Sequence, residues 1–207
     1  MTEPASTTRG TYPKGVRRRA QIVSAALEAF AASGFEGASM VSIAEACGVS
    51  RAGLLHHFPS KDVLLIAVLE ERDRLNGERF FAGVRGAHDG GEYLRRLVAV
   101  LEHNETQREV IALFARLSTE AIVPTHPAHA YFVERYAWLR GHLAEAFGDL
   151  ERRGMVHADV DVTHLPAELT ALKEGLQIQW LIDPASVDIP ARVRTRLDEL
   201  LTVSLWD

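Results

Sequence analysis

The chain has 207 residues, 47% of them hydrophobic and 25% charged, which is typical of an ordinary globular protein with one or two domains. No apolar run is long enough to cross a membrane and no signal peptide precedes the first helix, so we expect a cytoplasmic protein with no membrane partner. The single cysteine, Cys47, excludes an internal disulfide.

The net charge of −5 is unevenly distributed along the chain. Residues 1–62 hold seven Lys and Arg against five Asp and Glu, a balance of +2, whereas the rest holds sixteen against twenty-three, a balance of −7. Salt screens the repulsion of the acidic part beyond a Debye length of about 8 Å at physiological ionic strength. The mildly basic first segment is therefore compatible with binding to a phosphate backbone.

The N-terminal stretch, residues 1–13, is rich in Thr, Ser, Pro and Gly, and we expect a disordered arm. A basic cluster follows at the start of the first predicted helix, about 16–32, and consists of Lys14, Arg17, Arg18 and Arg19. Positive charge at a helix N-terminus opposes the macrodipole, and a nearby DNA phosphate would offset that cost. A solvated basic tail explains any single one of these residues about as well.

The stretch 39–61 has the pattern of two short helices joined by a tight turn. Ser39 and Ser50 are typical N-caps, and Gly48 ends the first helix because glycine adopts the left-handed backbone at low cost. Ala44 is small enough for the second helix to cross the first closely. This pattern predicts a helix-turn-helix, which presents its second helix to the DNA major groove. A plain helical hairpin with a glycine turn is the alternative.

The flanking segments extend this pattern over residues 15–70, which resemble the DNA-binding domain of the TetR family of bacterial transcription regulators. The resemblance lies in the segments RRRAQIVSAALEAFAASGFEGAS and IAEACGVSRAGLLHHFPSKDVLLIAVLE. It implies an all-α homodimer of about nine helices, with a three-helix DNA-binding domain at 14–60. A C-terminal helical domain, 61–207, would bind an effector and dimerise.

The resemblance also implies which residues contact double-stranded DNA. Arg51 is the best candidate for a base or phosphate contact, because it begins the reading helix and can bind guanine through two donors. The full predicted set is Arg17, Ser39, Ser42, Ser50, Arg51, Ala52, Gly53, His56, His57 and Lys61. Gly53 and Leu55 stand where threonine and tyrosine are usual in the family, so the operator sequence cannot be inferred by analogy.

The last two predicted helices, about 162–182 and 190–203, are the expected dimer elements. The first of them is apolar on more than one side, which predicts burial on most faces. By resemblance, both helices pair with their symmetry mates through Leu165, Leu169, Leu172, Leu176, Val193, Leu197, Leu200 and Leu201. The alternative is that these side chains complete the core of the monomer.

Catalytic motifs are missing: the sequence has no nucleophile elbow, phosphate loop or zinc signature, so we expect neither an enzyme nor a resident cofactor or metal. A helix-lined pocket for an apolar ligand is favoured instead. Its predicted residues are Phe80, His103, Phe114, Tyr136, Trp138, His142, Gln177 and Trp180. Core packing explains each aromatic residue at least as well.

The resemblance, together with these patterns, implies a homodimeric repressor that a small apolar effector releases from a pseudo-palindromic operator. A DNA-binding regulator that is controlled by a protein partner, or that has no effector, is the alternative. An enzyme that turns over a ligand in the same pocket is a third interpretation, which the missing catalytic motifs disfavour.

Overall fold

The computed structural model describes residues 12–206, with side chains from residue 15 onward, and this part of the chain contains nine α-helices and no β-strand. The predicted all-α fold is therefore confirmed. Residues 1–11 of the predicted arm lie outside the described residues, whereas residues 12 and 13 belong to the first helix. The helices are α1 Tyr12–Gly37, α2 Met40–Ala46, α3 Arg51–His57, α4 Lys61–Phe81, α5 Gly90–Glu105, α6 Arg108–Glu120, α7 His129–Arg152, α8 Leu165–Ile182 and α9 Ile189–Leu200.

The chain divides into two compact units, Met1–Glu71 and Arg72–Asp207. The boundary lies within α4, later in the chain than the predicted boundary at 60/61. The first turns of α4 carry Leu64, Leu65 and Leu69, which are fully buried. Those turns therefore belong to the N-terminal unit, and only the charged second half of α4 belongs to the C-terminal unit.

The core of the N-terminal unit is formed by large apolar side chains from α1, α3 and α4. Ile22 and Phe30 of α1 are completely buried, as the helical spacing of the sequence predicts. Gly34 has φ 75° and ψ 168°, a non-helical conformation that interrupts α1 where Ser33-Gly34 is predicted to end it. This break lets Phe35 pack edge-on against Phe30 in the same core.

The C-terminal unit is built around α7, which packs against α5 and α8, while α9 packs against both α5 and α8. A continuous hydrophobic cluster joins these four helices, with Phe147 and Leu150 of α7 fully buried at its centre. The segment after α7, which alternates weakly in sequence, forms a single antiparallel bridge between Val156 and Leu201. It is a connector, and the bridge attaches it to the end of α9.

A close approach between α5 and α7 depends on Gly90. A Cβ atom at this position would lie 2.2 Å from the carbonyl oxygen of Ala146, so only glycine fits. The Gly90 N–H donates a 2.9 Å hydrogen bond to the buried carboxylate of Asp149, which also pairs with Arg153 at 3.2 Å. The N–H at the start of α5, the Asp149 carboxylate and the absence of a Cβ atom at Gly90 together determine how closely α5 packs against α7.

The predicted dimer stripe on α8 and α9 is occupied by contacts inside the chain. Leu165, Leu169, Leu176, Val193, Leu197, Leu200 and Leu201 all belong to the hydrophobic cluster of the C-terminal unit, and Leu172 packs against it half-buried. This packing favours the alternative interpretation, in which these side chains complete the core of the monomer. The physical reason is that the leucine stripes of α8 and α9 are already covered by α5 and α7 and by each other.

No single helix among residues 12–206 has both the length and the apolar composition needed to span a membrane. The pair α3 and α4 reaches the required length and composition only when both helices are counted together, across a bend of 61°.

We expect Gly90→Ala to lower the free energy of unfolding by roughly 1–3 kcal/mol or more, because the new methyl group cannot avoid the Ala146 carbonyl without moving a helix. Urea denaturation of the full chain, followed by far-UV circular dichroism, measures this change. Gly141→Ala is the matched control, since Gly141 is an exposed glycine of α7 with open space around it. The control should gain about 0.5–1 kcal/mol from helix propensity. Equal stability of the two variants would contradict the proposed close approach.

Candidate nucleic-acid interface and ligand cavity

The second helix of the chain, α2, begins with a reciprocal cap between two serines. The Ser39 hydroxyl accepts the Ser42 N–H at 3.0 Å, and the Ser42 hydroxyl accepts the Ser39 N–H at 3.3 Å. The predicted N-cap at Ser39 is present, and it engages the two hydroxyls that were predicted to reach DNA. These hydroxyls stabilise the start of α2, so contact with phosphate would have to share them.

The turn between α2 and α3 has the geometry that the sequence predicts. Gly48 has φ 64°, and the Val49 N–H donates to the Ala44 carbonyl at 3.0 Å, which closes the end of α2. Ile43 and Leu54 are fully buried, and Ala44 is nearly so. The two helices thus share a small apolar contact that holds their relative orientation.

The third helix, α3, is capped by Ser50, whose hydroxyl accepts the Gly53 N–H at 3.0 Å. Arg51, Ala52 and His56 are exposed on its outer face, while Gly53 and His57 are half-buried. The exposed part of α3 therefore offers the Arg51 guanidinium, the His56 imidazole and, at Gly53, a backbone without a side chain. This composition suits a helix that approaches phosphates and base edges.

The Lys61 ammonium has a structural role that the sequence did not predict. It donates to the carbonyl oxygens of Phe35 at 2.9 Å, Glu36 at 3.4 Å and Ala38 at 3.5 Å, and it lies 4.4 Å from the centre of the Phe35 ring. The free carbonyls at the end of α1 thereby receive a cationic donor. The contact of Lys61 with DNA phosphate stays a prediction.

The basic cluster at the start of α1 is also partly used inside the N-terminal unit. Arg18 donates to the carbonyl of Cys47 at the end of α2 at 3.3 Å, and the Arg19 guanidinium lies 4.8 Å from the centre of the Phe58 ring. These contacts connect α1 to the helix-turn-helix. Arg17, the member of this cluster in the predicted DNA-contact set, is exposed.

The C-terminal unit contains a small cavity of about 60 Å³ that is lined by residues of α4, α5, α6, α7 and α8. Its walls combine charged, polar and aromatic groups rather than purely apolar ones. They are formed by Arg72, Asn104, Ile111, Phe114, Ala115, Ser118, Phe132, Arg135, Tyr136, Lys173, Glu174, Gln177 and Ile178. The expectation of an apolar pocket is therefore wrong for this cavity.

Two carboxylates organise the charged wall. Asp73 accepts hydrogen bonds from Arg135 Nε at 2.9 Å and from the Tyr131 hydroxyl, while Glu174 accepts one from the Tyr136 hydroxyl at 2.7 Å. Lys173 lies 3.6 Å from Glu174. Since burial and the adjacent carboxylate both disfavour phenolate, the pKa of Tyr136 is raised to about 12.

The cations of this cavity wall are buried and lie close to one another. Burial and the nearby Arg135 lower the pKa of Arg72 to about 10. Burial, followed by the positive charges of Arg135 and Arg72, lowers the pKa of Lys173 to about 8, although Glu174 opposes this shift. Positive charge is therefore crowded and poorly solvated in this cavity.

The predicted effector residues are divided among four places. Phe114, Tyr136 and Gln177 line the cavity, whereas Phe80 and His103 stack on each other at 5.4 Å and are not part of its wall. The Trp138 and His142 rings lie 4.2 Å apart, also away from the cavity wall, and Trp180 is buried in the hydrophobic cluster. Five of the eight positions therefore lie outside this cavity, and their contact with an effector stays a prediction.

Three cations of the cavity, Arg72, Arg135 and Lys173, are absent from the residues that the sequence predicts for a ligand site. The sequence nevertheless contains a signal for two of them. Lys173 follows Leu169 by four residues and precedes Leu176 by three, so it lies on the inward stripe of α8. Arg72 continues the stripe of Leu65 and Val68 on α4 in the same way. A charge in an apolar stripe indicates a buried polar site.

Histidines that sequence spacing placed together are engaged in local contacts. His126 Nδ1 accepts the Ala128 N–H at 3.2 Å, and His129 Nδ1 lies 2.8 Å from the Ala121 carbonyl oxygen. Within residues 12–206, no group of three or more His, Cys, Asp or Glu side chains is placed to hold a metal ion.

Three comparisons relate the chain to known proteins. Residues 22–68 match the family model for bacterial regulatory proteins, tetR family. The HTH-type transcriptional regulator UidR of Escherichia coli (strain K12) is 26% identical over 158 residues, which are 76% of this chain and 79% of UidR. The HTH-type transcriptional regulator RutR of the same strain is 44% identical over 72 residues, 34% of each chain.

The fold also resembles a solved structure of a TetR-family transcriptional regulator from Rhodococcus sp. The two structures superpose with a TM-score of 0.73 at 23% sequence identity, over 90% of this chain and 100% of that one. At this level of identity the likeness establishes the all-α fold.

We expect Lys61→Gln to lower the free energy of unfolding of the N-terminal unit by about 1–2 kcal/mol, because three carbonyl oxygens lose a charged donor. Thermal and urea unfolding of the full chain measure this effect. Arg51→Gln is the matched control: it removes one charge from the same unit at an exposed position and should leave stability within about 0.5 kcal/mol. If Lys61→Gln unfolds like the control, the capping role is refuted.

Proposed function

Because the chain belongs to the TetR family of bacterial regulatory proteins, we propose that it is a homodimeric repressor that leaves its operator when a small molecule binds in the C-terminal unit. The chain is a DNA-binding transcriptional regulator, and its family is one of regulators rather than enzymes. The observation that carries the proposal is the helix-turn-helix of α2 and α3, with its buried contact and its exposed outer face.

DNA binding by this unit follows from the position of α3. Arg51 and Ala52 begin the helix and are exposed, so they can reach base edges when α3 lies in the major groove. His56 is exposed one turn further along and can donate to a backbone phosphate. A two-fold dimer would place two such helices about 34–36 Å apart, or a multiple of that distance, and would favour a pseudo-palindromic operator.

A second stripe of α8 supports the proposed dimer. Ala171, Gly175, Ile178 and Ile182 follow one another at helical spacing, and all four are exposed. Ile178 is 51% exposed and Ile182 is 80% exposed, which is unusual for isoleucines of a folded domain. Small residues followed by large apolar ones permit a close helix pair with a partner copy. We therefore place the dimer contact on this outer stripe instead of the inner leucines.

Effector control would use the cavity of the C-terminal unit. An effector that favours a non-binding conformer by about 2.7 kcal/mol would weaken DNA affinity about a hundredfold. α4 includes residues of both units, so a change around Arg72 reaches the first unit along a single helix. The cytoplasm, where bacterial operator DNA lies, is the expected site of action.

We expect Arg51→Ala to weaken operator binding by about ten- to a hundredfold, because one bidentate base or phosphate contact is lost. Selection from a random DNA library at two salt concentrations supplies the operator, and fluorescence anisotropy then gives the affinities. Arg140→Ala is the control, since it removes one exposed arginine from α7 of the other unit. Recovery of no DNA by the folded wild type, or wild-type affinity for Arg51→Ala, would contradict the proposal.

We expect Gly175→Arg to shift the dimer towards monomers by at least tenfold in dissociation constant, because two like charges would meet across the outer stripe. Sedimentation velocity over a concentration series measures the shift. Gly141→Arg is closely matched: it is also an exposed mid-helix glycine with open space around it, but it lies on α7. If both variants dimerise like the wild type, α8 does not form the dimer through this stripe.

A further inference from the structure

We propose that the cavity of the C-terminal unit binds the carboxylate of a small organic anion between the Arg72 guanidinium and the Lys173 ammonium. The inference rests on the proposed function, since it assigns a chemical class to the ligand of the same cavity.

The first observation is an excess of positive charge. Arg72, Arg135 and Lys173 line the cavity, and only two carboxylates lie among them. Asp73 is used by Arg135 at 2.9 Å, and its nearest approach to Arg72 is 3.9 Å. Glu174 is shared between the Tyr136 hydroxyl and Lys173. One positive charge is thus left without a carboxylate of its own in a poorly solvated place.

The second observation is an unused donor on Arg72. Its side chain is only 8% exposed, and its guanidinium lies 4.3 Å from the centre of the Phe114 ring while Nη2 donates to Asn104 at 2.9 Å. Nε of this guanidinium is buried and has no hydrogen-bond partner. Buried N–H groups almost always find an acceptor, so an unsatisfied one on a cavity wall indicates a missing partner. A carboxylate suits the planar fork of donors that a guanidinium presents.

Lys173 also lines the cavity. Its side chain is 18% exposed, and the depressed pKa of its ammonium reflects burial together with the nearby guanidinium groups. An anion between Lys173 and Arg72 would offset both effects and favour the charged form of each group. The three cations therefore share two carboxylates, and a ligand anion can supply the third negative charge.

Charge favours a carboxylate over a phosphate, and size limits the ligand. The cavity volume of about 60 Å³ holds only a few water-sized groups, so the bound part of the ligand is small. The excess of one positive charge matches a monoanion better than a phosphate dianion. The half-exposed Ile178 also lines the cavity, so the rest of the ligand can extend towards the surface of α8.

A cationic ligand is disfavoured by the same wall. Glu174 already accepts the Tyr136 hydroxyl and lies beside Lys173, so a ligand cation would have to displace these contacts. The ligand cation would also enter a site that already holds Arg72 and Arg135.

The test uses full-length protein and the sodium salts of acetate, propionate and pyruvate as probes, with inorganic phosphate and choline chloride at equal ionic strength. Isothermal titration calorimetry and thermal unfolding report binding. We expect the carboxylates to bind and to raise Tm, with phosphate and choline giving at most a tenth of their affinity. The carboxylate itself is the recognised group. The proposal is therefore overturned if none of the three carboxylates gives a binding signal at about 50 mM.

Lys173→Met is the decisive variant, because it removes the charge and keeps the length of the side chain. We expect carboxylate affinity to fall at least tenfold in protein that circular dichroism shows to be folded. The Lys173–Glu174 pair is also lost in this variant, so a lower Tm alone does not count as support. Arg72→Gln should also weaken binding tenfold, and Arg140→Gln on the exposed face of α7 should bind as the wild type. Unchanged binding by Lys173→Met refutes the site.

Operator binding, measured on the same samples, separates this inference from the proposed function. Carboxylate binding that depends on Lys173 but does not release DNA supports the site and refutes the effector role. DNA release by choline or phosphate, without carboxylate binding, supports effector control and overturns the carboxylate site.

Discussion

The close crossing of α2 and α3 is the contact on which the DNA-binding unit depends. Ala44 is small enough to let the helices meet, Gly48 turns the chain with φ 64°, and Ile43 and Leu54 fill the space between them. A larger residue or a different turn would change the angle at which α3 leaves the unit. Because α3 must fit a groove of given width, its orientation has to be determined by packing before any side chain can read DNA.

Basic residues around this contact have different roles. Arg18 and Lys61 donate to main-chain carbonyls at the ends of α2 and α1, and Arg19 lies on the Phe58 ring. They stabilise the unit on which Arg51 is exposed. A positive charge in a DNA-binding domain is therefore not by itself evidence of DNA contact, since helix ends also require cations or donors.

The C-terminal unit combines a continuous apolar cluster with a charged cavity, and each has a separate consequence. The cluster of leucines from α5, α7, α8 and α9 stabilises the fold by burial. The cavity introduces Arg72, Arg135 and Lys173 where a stable core would have apolar groups, at a cost in desolvation. Such a cost is understandable where the charges serve a ligand, because a bound counterion supplies the interaction that the unliganded fold lacks.

The sequence by itself determined the helices, their caps at Ser39 and Ser50, the turn at Gly48 and the class of the N-terminal unit, because these features depend on neighbours a few residues apart. Tertiary structure alone decided which stripe of α8 faces inward, which carbonyls Lys61 meets and that Lys173 shares a cavity with Arg72. These outcomes depend on residues far apart in the chain. Periodicity shows that a helix has an apolar stripe, but it cannot identify what that stripe will contact.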